Sequence, residues 1–148
     1  MAEATVYFED VKEGDEVPPF VRTTDLMHWN RYAAVNDEFV YIHMDDDIGR
    51  AVGQRGAFGM GNLRFAYLHN MLRDWIGIQG SIKRIAVQYR GFNFKGDTLT
   101  CRGTITKKYV SDGDHLLDLE IWVENQRGEK VTPSTATVAL PSRQTVRR

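Results

Sequence analysis

Cysteine is almost missing from this chain. Cys101 is the only one in 148 residues, which excludes an internal disulfide and a cysteine-built metal site and suits a reducing compartment. Neither sign of charge is in excess. Lys and Arg number 19 against 20 Asp and Glu, a formal charge of -1, so whole-chain electrostatics offer no pull toward nucleic acid. No run of about 18 or more apolar residues occurs, so no segment is expected to span a membrane. The opening "MAEATVYFEDVKEGDEV" is acidic and has no apolar stretch behind basic residues, so a signal peptide is not expected and the cytoplasm is the expected compartment. Repeats and low-complexity linkers are also lacking, and the short basic tail "RQTVRR" is expected to fray. A chain of this length fits one domain, residues 1-148, with a substantial core.

What is present divides by period. "VYFEDVKEGDEVPPFVRTT" reads as a short strand or arm, a Gly-Asp turn and an extended piece held by Pro18-Pro19. Thr24 or Asp25 can cap a helix whose Leu26, Trp29, Tyr32 and Ala33 share one face and which ends near Asn36. "HMDDDIGRAVG" predicts a second, short helix with Asp45, Asp46 and Asp47 at its positive end and Gly49 or Gly53 near its close. From Leu63 to Trp75 apolar residues spread over much of a third helix, which is therefore expected to be buried. The period then falls to two in "SIKRIAVQY", "TLTCRGTIT", "HLLDLEIWVE" and "STATVAL", separated by the turn signals "FKGD", "SDGD" and "NQRGE". One buried helix followed by an antiparallel meander predicts an α+β fold with the sheet curled around that helix. Such a sheet leaves an open edge, so a homodimer or dimer of dimers is expected.

Two regions invite chemistry. In "YAAVNDEFVYIHMDDD" two acids, Asp37 and Glu38, precede His43; a carboxylate that fixes the tautomer of a histidine leaves its other nitrogen free to take a proton from water. An ordinary surface loop beside helix-capping acids fits the same spacing. The run "GQRGAFGMGN" brings Gly53, Gly56, Gly59 and Gly61 to the start of the third helix, where backbone N–H groups can face developing negative charge or where the chain only needs room to enter a crowded core. The triple aspartate does not suit a metal, because consecutive residues of a helix point in different directions, and the histidines show no ligand spacing. Arg55, Arg64, Lys83, Arg84, Arg90 and Lys95 flank these segments and are placed either to meet a phosphorylated tail or to solvate the sheet.

Together these segments resemble the MaoC-like acyl-CoA hydratase/dehydratase family, which has the hotdog fold: an antiparallel sheet wrapped around one long buried helix. The family's motif runs tyrosine, five residues, aspartate, Asn-Pro one residue on, and histidine five after the aspartate. Laid on "YAAVNDEFVYIH", it matches Tyr32, places Glu38 on the catalytic acid and His43 on the catalytic histidine, and puts Val40-Tyr41 where the family has Asn-Pro. Asp37, one residue earlier, is the alternative acid if the loop bulges. "FGMGNL" supplies Gly59 for the backbone N–H that binds the thioester carbonyl, and "FKGDTLTCRGTI" resembles the family's Gly-Asp-Thr-Leu strand entry. The resemblance implies reversible addition of water to a 2-enoyl-CoA, with no metal or redox cofactor and coenzyme A present only as part of the substrate. Phe58, Met60, Leu63 and Tyr67 would line the acyl site, with Arg84 toward the phosphorylated tail. A hotdog thioesterase is the first alternative; a non-catalytic acyl-CoA-binding partner, paired with a second hotdog chain in a heteromeric hydratase, is the other.

Overall fold

The computed structural model describes residues 5-144; the last four residues of the basic tail fall outside them. A 3₁₀ turn at Phe8–Asp10 leads into β1 (Glu16–Thr23), α1 (Leu26–Asn36), a 3₁₀ turn at Tyr41–His43, α2 (Asp46–Ala51) and α3 (Gly61–Ile76). Four strands follow: β2 (Ser81–Val87), β3 (Thr98–Ser111), β4 (Asp114–Glu124) and β5 (Lys130–Ala139). They form one antiparallel five-stranded sheet in the order β1-β3-β4-β5-β2. Asp112 and Gly113, both at positive φ (51° and 83°), make the tight β3-β4 turn, as "SDGD" requires. No helix among the described residues is long and apolar enough to cross a membrane.

The sheet wraps one side of α3. Leu68, Met71, Leu72 and Ile76 pack in one cluster with Leu99, Cys101 and Ile105 of β3, Leu119, Ile121 and Val123 of β4, and Val138 of β5. Truncating a side chain as enclosed as Leu72 to alanine costs about 2 to 5 kcal/mol. Trp29 and Ala33 of α1 close the cluster and are wholly buried. The helix stops where Gly77, at φ 66°, returns its N–H to the Arg73 carbonyl.

The structure corrects two expectations. The extended piece at Pro18-Pro19 is a strand, and its register against β3 shifts between Val17 and Phe20. Two adjacent residues without N–H groups fit a bulged edge strand and no other place in a sheet. In addition, α3 is not apolar all round: Asn62, Phe65, His69, Asn70, Arg73 and Asp74 are exposed, while Arg64 is buried with the core face.

Candidate active site

The C-terminal end of α1 determines where the two acids go. Asp37 takes the left-handed conformation (φ 54°, ψ 39°) and returns its N–H to the Ala33 carbonyl, a helix terminator that aspartate tolerates better than most side chains. It is exposed. The chain then reverses through Phe39–Val40 into the 3₁₀ turn, which carries His43 inward until 8% of its surface remains exposed. His43 Nδ1 lies 2.7 Å from the Phe58 carbonyl oxygen. A carbonyl only accepts, so Nδ1 bears the proton and Nε2 is left as the basic nitrogen. The ring of Phe58 stands edge-on to the imidazole at 5.2 Å. The tautomer is thus fixed by backbone and not, as the sequence suggested, by a carboxylate.

Glu38 is held elsewhere. Its two carboxylate oxygens lie 3.4 and 3.5 Å from Nδ2 of Asn62 in the first turn of α3, and Asn62 in turn accepts at 3.1 Å from the Tyr89 hydroxyl. Burial first, and the negative charge of Glu38 second, push the Tyr32 phenol up; burial does most of the same to Tyr89. Glu38 therefore sits among an amide and two phenols at the N-terminal end of α3. Among the described residues no ion pair joins His43 to either acid.

Gly59 also departs from expectation. Its N–H donates at 2.7 Å to the Asn93 carbonyl, so it is engaged within the chain and not free for a thioester. Glycine is needed there for space: a Cβ would collide with the buried amide of Asn93. The donors that remain are one turn further on. Met60 occupies the N-cap of α3 with no side-chain cap, which leaves the N–H groups of the first turn without side-chain acceptors.

The short helix α2 clamps this loop layer. Asp45 caps it through the N–H groups of Asp47 and Ile48. Asp46 reaches out of it to the Ala57 N–H at 2.9 Å and to Lys95 Nζ at 2.7 Å. Asp47 pairs with Arg50 at 2.6 Å. Each of the three aspartates thus has a structural use. Gly49 lets α2 lie directly on the carbonyl of Gly56, a contact that any Cβ would block.

Two clefts flank the start of α3. One, of 310 Å³, is lined by Arg22, His28, Arg31, Tyr32, Leu63 and Tyr67, and burial pushes the Tyr67 hydroxyl up to about 12. The other, of 230 Å³, is lined by Phe58, Gly59, Gly61, Arg64, Tyr89, Arg90 and Phe92. Phe58 and the Leu63–Tyr67 pair therefore line different clefts rather than one tunnel. Met60 is fully buried in the core and lines neither. Arg84 is exposed on β2, in a separate groove with Leu119, Glu120 and Thr135. Of the other basic residues, Arg55, Lys83 and Lys95 pair with Asp97, Asp114 and Asp46. The sequence reading missed Asn62 and Tyr89 entirely and did not distinguish Arg64 from its basic neighbours. A signal for Arg64 existed: it falls three, four and seven residues before Tyr67, Leu68 and Met71, on the apolar face.

No family model matches the sequence, and no curated protein matches it either. Solved structures do match. They include the (R)-hydratase PhaJ1 from Pseudomonas aeruginosa, at 15% identity and TM-score 0.84, covering 93% of this chain and 87% of that one. A MaoC-like dehydratase from Rhodospirillum rubrum matches at 21% identity and TM-score 0.79, covering 93% and 98%. A chain of the ChsH1-ChsH2 complex from Mycobacterium tuberculosis matches at 22% and 0.76, covering 87% and 98%. At such identities the likeness is one of architecture: this chain has the hotdog fold that MaoC-like dehydratases and (R)-hydratases share.

Proposed function

We propose that the chain is a hydratase/dehydratase that adds water reversibly across the double bond of a 2-enoyl-CoA thioester. The observation that carries the reading is His43: a buried imidazole whose Nδ1 is committed to the Phe58 carbonyl, so that Nε2 is held as a base in a water-poor setting. In hydration, water gives its hydroxyl to the β-carbon as Nε2 takes its proton, and Nε2 then returns that proton to the α-carbon of the enolate, which leaves the imidazole neutral again. Glu38, which contacts Asn62, is the carboxylate assigned to orient that water. Charge accumulates on the thioester oxygen as an enolate, and the uncapped N–H groups at the start of α3 are the donors suited to it. No step requires a metal or redox group.

A second reading is a non-catalytic partner of another hotdog chain, and one feature favours it. The loop between Glu38 and His43 exposes Phe39, Val40 and Tyr41, with 61%, 44% and 76% of their surface free, an apolar stretch suited to a contact. Incubating the purified protein with enoyl-CoAs, from crotonyl to branched, aromatic and steroid-derived chains, tests both. Loss of enoyl absorbance is expected. Release of free thiol would mean a thioesterase, and no reaction until a second chain is added would mean a partner subunit.

A further inference from the structure

Among the described residues Arg64 is the one buried lysine or arginine, and the proposed mechanism does not use it. It lies on the core side of α3 with 4% of its surface exposed. Among the described residues its partners are backbone carbonyls alone, Gly91 at 2.6 Å and Val131 at 3.4 Å, both met by Nη1. Nε has no partner, and no carboxylate faces the group; the one ionisable neighbour acting on it is the Tyr89 phenol, whose ring lies 5.5 Å away. Burial pushes the guanidinium down to about 10, which still leaves it charged at neutral pH. A buried charge with no counterion is destabilising, and an apolar side chain of similar size would serve packing better.

The surroundings indicate what completes it. Arg64 lines the 230 Å³ cleft with Phe58, Gly59, Tyr89, Arg90 and Phe92, and the rings of Phe58 and Phe92 meet edge-on at 4.8 Å. His43 packs against the same Phe58, ring centroids 5.2 Å apart, so one side chain connects the cleft with the candidate base. Of the two arginines in the lining, Arg90 is exposed with its guanidinium donating to Gln88 Oε1 at 2.8 Å, whereas Arg64 is the buried one, and a buried planar cation beside aromatic walls suits a carboxylate at the end of a short carbon chain. We propose that Arg64 is a specificity-determining residue that recognises a second carboxylate on the acyl group, so that the preferred substrate is a dicarboxylic thioester. The proposal rests on the hydratase reading for the identity of the thioester.

The test is equilibrium binding of two saturated thioesters, glutaryl-CoA and pentanoyl-CoA, which share the carrier and differ in the terminal carboxylate. The wild-type chain is expected to bind glutaryl-CoA about 10- to 100-fold more tightly, the range of one charged hydrogen-bonded pair, and Arg64→Met to lose that preference. Equal affinities in the wild type overturn the proposal without any variant, as does a preference that survives Arg64→Met. Equal weakening of both thioesters by Arg64→Met also overturns it, because the arginine then serves the carrier's phosphates. Binding needs no turnover: a glutaryl preference in a chain that hydrates neither enoyl counterpart removes the hydratase reading alone. Hydration of 2-pentenoyl-CoA without a preference removes this proposal alone. Binding of neither thioester removes both.

Discussion

His43 and Glu38 are supported in different ways, and this sets what their replacement will do. The imidazole is anchored by a carbonyl and an aromatic edge, whereas the carboxylate rests on a long contact to Asn62. Glu38→Gln keeps shape and acceptor but removes charge, so turnover should fall about 100-fold or more with little change in melting temperature. His43→Ala should match it, and the double variant should be scarcely worse, because groups acting on one water are not additive. Asp37→Asn should leave turnover near normal, since Asp37 ends α1 in a left-handed turn that asparagine also adopts; steady-state rates on one enoyl-CoA rank all four. Gly59→Ala belongs to a different class. Its Cβ meets the Asn93 amide, so the expected result is a loss of about 1 to 3 kcal/mol in denaturant unfolding, whatever happens to the rate. The sequence pointed to His43 and Glu38 as candidates because a motif carries them at fixed spacing. It could not show the tautomer, because the fixing group is the backbone of Phe58, nor the Glu38–Asn62–Tyr89 chain, whose members meet only when the start of α3 is brought beside the segment that follows β2.

At the level of elements, the Asp46 side chain of α2 ties the loop before α3 to the connection between β2 and β3. The Asp46 carboxyl is held below its ordinary range, first by the hydrogen bond from Lys95 and then by the Ala57 N–H. A carboxyl depressed in this way adds stability that is complete above its unfolded-state value and is lost as pH falls through its folded one. Asp46→Asn keeps the acceptor for Ala57 and removes the charge facing Lys95. The variant should therefore melt below wild type at neutral pH, and the gap should close as pH falls from about 5 toward about 3. A gap independent of pH in thermal melts would locate the effect in packing instead. The helices and strands were largely legible: Asp25 caps α1 by accepting from the His28 N–H, Asp45 caps α2, and four alternating stretches became β2 to β5. Two elements were misread for opposite reasons. Pro18-Pro19 hid a strand whose pairing lies with β3, far along the chain. The apolar residues of α3 concealed a one-sided helix, because a count of hydrophobic positions does not register that His69, Asn70, Arg73 and Asp74 fall together on the other side.

In the molecule as a whole, the two ends of the sheet are not equivalent. The order β1-β3-β4-β5-β2 makes β1 and β2 the outer strands. β1 carries Pro18 and Pro19 at its register shift, devices that blunt an edge by removing donors and bending it away. β2, "SIKRIAV", has no proline, although it too shifts register against β5 between Ile82 and Arg84. It is therefore the edge suited to pairing with another chain, most simply with a second copy across a two-fold axis, which would join two sheets into one. Amide hydrogen exchange separates the possibilities residue by residue. In a monomer, alternate amides of both outer strands face water and exchange quickly, because half the N–H groups of an edge strand have no acceptor within the sheet. In a dimer through β2, every amide of the central part of that strand should be protected, while alternate amides of β1 stay fast, and sedimentation should report a dimer or a dimer of dimers at micromolar concentration. Fast alternate exchange in β2, in a chain that sediments as a monomer and retains hydratase activity, would remove the expectation. The same monomeric behaviour without activity, followed by protection of β2 when a second hotdog chain is added, would make that chain the natural partner of this edge.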